Sequence, residues 1–161
     1  MKIGVAIDDV QGAEVELAKH LISLAERHKQ EADVYHMSLA RAHVCAEHIW
    51  ALRPHVELYG AHPVEVGEAA TPGFLDSLKQ ATAALGYLPI SGLALVNDLR
   101  DTYVTAHRAE IAWIVLQQAA KAARASELVT LTATCTQEAE QTYKWLRTRI
   151  KETAPEAFAT N

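Results

Sequence analysis

From Ala13 to Arg53 the chain contains neither glycine nor proline, and its apolar residues return every three or four positions. Leu17, Leu21, Leu24, His28, Glu31, Tyr35, Leu39, Ala42, Ala46, Ile49 and Arg53 step along one helical stripe. This stretch limits the fold more than any other feature, because a strand repeats every two residues and a helix every 3.6. A single helix of this length would extend roughly 60 Å and would need a partner along all of it. Two helices joined by a tight turn satisfy that need within one chain. Asp33 and Ser38 are acceptable N-caps, which predicts the turn between residues 33 and 40. Pro54 is expected to kink the second helix and Gly60 to close it.

The second half repeats the arrangement. Leu95, Leu99, Tyr103, Ala106, Glu110, Trp113, Leu116 and Ala120 mark one broad helical face. Ser126 is the expected N-cap of a last helix that carries Leu128, Leu131, Cys135, Glu138, Thr142, Trp145 and Arg149 and is stopped by Pro155. Between the pairs, residues 60–92 hold most of the glycine and proline, with one amphipathic run, Phe74 to Leu85, that reads as a short helix. Residues 1–12 alternate weakly and read as an N-terminal arm or short strand. The chain of 161 residues is expected to be one all-α domain: helix pair, long crossover, helix pair.

Eight histidines are many for such a chain, and seven fall between His20 and His62. Two of the eight form a repeated motif, His28-x-x-Glu31 and His107-x-x-Glu110. Positions i and i+3 lie roughly 60° apart on a helix, so each pair shares a face. A carboxylate beside an apolar stripe must be paired or coordinate a cation. With turns near residues 37–38 and 122–123, Glu47 falls level with His28 and Glu138 level with His107. The set His28, Glu31, Glu47, His107, Glu110 and Glu138 then offers two imidazoles and four carboxylates. That is a ligand set for two iron or two manganese ions. His43, four residues before Glu47, is a further neighbour of that set. His36, His48, His55 and His62 read as surface or packing residues, the last three at a seven-residue spacing that fits a subunit contact. Cys45 and Cys135 read as small core residues.

The stretches "HRAEIAW" (His107 to Trp113) and "QEAEQTYKWL" (Gln137 to Leu146) resemble the third and fourth helices of the ferritin-like superfamily, in particular small bacterial proteins of the YciE/YciF type. The resemblance implies a ferritin-like four-helix bundle, a dimeric assembly and a di-metal centre. Superfamily members carry a lone glutamate on helices one and three and Glu-x-x-His on helices two and four. This sequence reverses the order and contains no Glu-x-x-His.

A formal charge of −5 argues against general nucleic-acid binding, and no segment approaches the length of a membrane span. The N-terminus is unlike a signal peptide, so a cytoplasmic location is expected. The functional expectation is metal handling or dioxygen and peroxide chemistry at the di-metal site. The alternatives are a metal-free helical stress or interaction module acting as a homodimer, and a haem held by a histidine pair.

Overall fold

The computed structural model describes residues 2–64, 76 and 92–159. It contains four long helices: α1 (Ile3–Arg27), α2 (Ala32–Leu58), α3 (Gly92–Ala122) and α4 (Ser126–Ala159). No strand occurs among the described residues. Of the expected short helix over 74–85 only Asp76 is described, as helical and exposed; the rest of it and the course of the crossover lie outside the described residues.

Residues 3–12 are helical and do not form an arm. Helix α1 begins at Ile3, because Ile3, Ile7 and Val10 continue the spacing of Leu17, Leu21 and Leu24 and all six are buried. Gly4 explains how the helix reaches so far. It abuts the end of α2, where an added Cβ would lie 2.5 Å from the Tyr59 carbonyl oxygen.

The first turn is also earlier than the N-caps predicted. It occupies residues 28–31, closed by His28 N–H to Leu24 O at 3.1 Å and Glu31 N–H to His28 O at 3.0 Å. The helical stripe changes phase there. In α2 the buried face keeps Ala42, Ala46 and Ile49 of that stripe, but Val34, Ser38 and Leu52 are buried in place of their neighbours Tyr35, Leu39 and Arg53. Glu31, Tyr35 and Arg53 leave the core as a result.

Two helix ends use the same device. Gly60 adopts φ 65°, with Ala61 N–H bonded to Val56 O at 2.8 Å and Gly60 N–H to Glu57 O at 3.3 Å. This is a Schellman closure, and glycine is at home in it. At the end of α3, Arg124 holds the equivalent position at φ 57°, with Ala125 N–H bonded to Ala120 O at 3.0 Å. The two prolines do not end their helices. Pro54 lies within α2, and Pro155 lies within α4, which runs to Ala159. Both rings face solvent, where a lost backbone bond is replaced by water.

Cross-helix contacts fix the arrangement. Glu14 meets His48, Glu14 meets Trp113, Tyr103 meets Tyr143, and Asp33 meets Arg149. Every neighbouring pair is therefore antiparallel, and α2 and α3 run the same way. Helix α2 ends beside Gly4, whereas the start of α3 lies beside the end of α1, through Arg27 and His28 to Asp98. The core is aliphatic around one large ring: Trp113, Ile7, Leu21, Ile22, Leu24, Leu52, Leu99, Leu116, Leu128 and Leu146 are fully buried. Packing is extensive between α1 and α2, α1 and α3, and α3 and α4, but sparse between α2 and α4. No helix among the described residues is long and apolar enough to cross a membrane.

Candidate metal centre at mid-bundle

The four residues of the two His-x-x-Glu motifs and the two glutamates expected level with them do not converge. His28 caps α1 and is buried, with Nε2 2.7 Å from Asp98 Oδ2. Glu31 is exposed in the first turn. Glu47 points outward with 62% of its side chain exposed, 3.3 Å from His43 on the same surface. His107 and Glu110 form a partly exposed pair at 3.4 Å, with the His107 ring packed against Tyr103 and Tyr143. Of the six, Glu138 alone belongs to the polar cluster at mid-bundle. The early turn causes the misplacement. It sets Glu14, and not residue 27, opposite His48, and it carries Glu47 to the outer face.

What assembles instead is a junction to which all four helices contribute. On α2, His48 is buried, its Nδ1 lying 2.7 Å from Glu14 Oε1 of α1 and its Nε2 2.7 Å from Glu138 Oε2 of α4. From α3, Trp113 Nε1–H donates to the same Glu14 oxygen at 2.5 Å. The Trp113 ring also meets the His48 ring edge-on, with centroids 5.3 Å apart. Cys135, one turn before Glu138 on α4, completes the group. One ligand atom each from His48, Cys135 and Glu138 lie within 4.8 Å of one another, the only such triple of His, Cys, Asp or Glu among the described residues.

The protonation of this junction follows from its partners. A carboxylate accepts hydrogen bonds and donates none, so a histidine between two carboxylates must donate from both nitrogens and carry the imidazolium charge. Burial by itself lowers the His48 pKa. Contact with Cys135 and Glu14, and the Glu14 charge, outweigh burial and raise the pKa from 6.5 to about 11. The Glu138 carboxylate at 2.7 Å acts in the same direction. The Cys45 thiol is pushed well up, by burial first and then by the neighbouring Glu14 carboxylate, and stays protonated. Glu14 is 1% exposed, and its second oxygen, Oε2, is buried with no well-formed hydrogen bond.

The donor set fits a single ion better than two. His48 Nε2, Cys135 Sγ and Glu138 Oε2 supply nitrogen, sulfur and oxygen, the mixture that zinc-class ions accept. Two ligands at ~2.1 Å from a tetrahedral ion stand roughly 3.4 Å apart. Admitting one therefore needs the Glu138 carboxylate to retreat from His48 by less than about 1 Å. Its side chain is 43% exposed and lies where α2 and α4 pack sparsely, so it is free to move. A two-ion centre of four carboxylates and two imidazoles does not fit these residues. Trp113 occupies the α3 side of the junction, where such a centre would need a ligand.

The sequence contains a signal for this site, in cysteine. Cys45-x-x-His48 on α2 and Cys135-x-x-Glu138 on α4 have the i, i+3 spacing, on the second and fourth helices. A search for carboxylate with histidine passes over both. Glu14 lacks even that signal, because a lone glutamate near the start of an amphipathic run reads as solvent-facing. Of the other histidines set aside as surface or packing residues, His55 is buried toward α1 and His62 bonds Asp8 through Nδ1 at 2.8 Å. Within the chain, His48 and His62 of the seven-residue row both bond acidic residues of α1.

No protein-family model matches this chain, and no curated protein or solved structure matches it.

Proposed function

We propose that this chain is a metal-handling four-helix bundle that holds one divalent ion per chain on His48, Cys135 and Glu138. The observation that carries this reading is the convergence of three different donor types within 4.8 Å of one another around a buried imidazole. A buried imidazole wedged between carboxylates is costly to maintain for packing alone, because apolar side chains of similar volume stabilise an interior as well or better. The order and directions of the helices support a ferritin-like bundle, with the long segment between α2 and α3 joining opposite ends. One lone carboxylate on the first helix, and i, i+3 pairs on the second and fourth, stand where that superfamily places its ligands. Among the proposed ligands, Cys135 brings a sulfur donor, which moves the preference from iron or manganese toward zinc-class ions.

The test is elemental analysis of the purified, untagged protein, followed by titration with Zn2+ and with Fe2+. One ion per chain, weakened at least tenfold in Cys135→Ser with helix content unchanged, is the expected result. Two iron or manganese ions per chain would overturn the single-ion reading. No metal above background, with the bundle folded, would overturn metal handling altogether.

A further inference from the structure

We infer that Glu14 is the positioning residue of this centre: it holds His48 with Nδ1 protonated and so presents Nε2 to the ion. The inference rests on the single-ion reading above and adds a role to a residue outside the ligand set. Glu14 sits on the side of the imidazole remote from Cys135 and Glu138, with Oε1 2.7 Å from Nδ1. A carboxylate behind the distal nitrogen of a metal-binding histidine fixes the tautomer and the ring plane, and raises the basicity of the coordinating nitrogen.

Two observations separate this from a packing role. Both N–H donors, from His48 and Trp113, fall on Oε1, and the Cys45 thiol lies beside the same carboxylate. The indole of Trp113 bonds the same oxygen and abuts the ring, so Glu14 cannot rotate without breaking two bonds. The arrangement is also one-sided. Every group that could hold an ion with His48 lies on α4, and the group that fixes its orientation lies on α1.

The experiment compares the full-length protein with Glu14→Gln. Glutamine keeps the shape and one accepting oxygen but loses the charge. Zn2+ affinity is read by competition with a chelator, Co2+ by its thiolate-to-cobalt charge-transfer band, and the His48 tautomer by 15N NMR of the zinc-loaded protein. Zn2+ is expected to bind about 10–100-fold more weakly to the variant. The thiolate–cobalt band should survive in both proteins, since Cys135 is untouched. In the unmodified protein the ion should lie on Nε2 with Nδ1 protonated, and the Trp113 indole N–H resonance should shift on loading. Unchanged affinity in Glu14→Gln, even with lower thermal stability, would overturn the positioning role alone. An ion on Nδ1 would also overturn it, and that measurement needs no variant. Failure of the unmodified protein to bind Zn2+ or Co2+ would overturn the centre and this role together.

Discussion

Two buried histidines face carboxylates in this bundle, and they are used differently. His28, at the end of α1, meets Asp98 through Nε2, and Asp98 is also held by Arg27 at 2.8 Å. The group ties the first turn to the beginning of α3. Its acid has a permanent cation beside it, so the site is a closed ion pair. His48, at mid-bundle, has a carboxylate on each nitrogen and no arginine or lysine among its hydrogen-bond partners. Its own proton supplies the positive charge. A closed pair gives shape, whereas a junction whose hydrogen-bonded cation is a removable proton can exchange that proton for a metal ion.

The comparison can be broken at several points. The largest effect is expected in His48→Leu. Zn2+ affinity should fall by more than 100-fold, because the only nitrogen donor of the site is gone, while His28→Leu should leave affinity unchanged. Isothermal titration of both variants checks this, and equal losses in both would erase the distinction.

Next comes pH. The folded-state pKa of His48 is raised from 6.5 to about 11. Its contribution to stability is therefore fully present below pH 6.5 and is lost as pH rises through about 11. The slope between these limits should approach ~1.4 kcal/mol per pH unit in metal-free protein. Chemical denaturation at pH 7, 8 and 9 should show that slope in the wild type and lose it in His48→Leu. A parallel pH dependence in the two proteins would place the charge elsewhere.

A smaller effect is expected at the closed pair. Asp98→Asn removes the charge facing both Arg27 and the buried His28 and should cost about 1–3 kcal/mol of stability without touching metal affinity. Urea midpoints and a zinc titration on the same preparation give both numbers. The smallest change is Arg124→Gly. Arg124 holds a left-handed φ of 57°, which glycine adopts without strain, so the variant should gain about 0.5–1 kcal/mol with zinc binding untouched. A loss of stability would show that the arginine side chain does more at the α3 end than its backbone costs.

Much of the bundle is legible in the sequence. The faces of α3 and α4 follow from spacing, since Leu95, Leu99, Ala106, Trp113, Leu116, Ala120, Leu128, Cys135 and Thr142 are buried where the period places them. The second turn lies within a few residues of its expected position because Ser126 and Glu127 mark the start of α4. The first turn carries no glycine, proline or side-chain cap, and the cap residue Glu31 makes no capping bond. Nothing local distinguishes it from Asp33 or Ser38. The polar junction was hidden for the same reason, since its members lie on four helices and have meaning only as neighbours.

The sequence by itself determined that the chain forms long amphipathic helices in two pairs, because helical period and the absence of breakers are local properties. Only the tertiary structure decided which side chains meet. Period fixes the face of a helix but not its height against a partner. In a hairpin, moving the turn by about seven residues moves every cross-helix partner by twice that, roughly 20 Å along the axis. That shift separates an exposed Glu47 from a buried Glu14, and it makes His48 the centre of the site in place of His28.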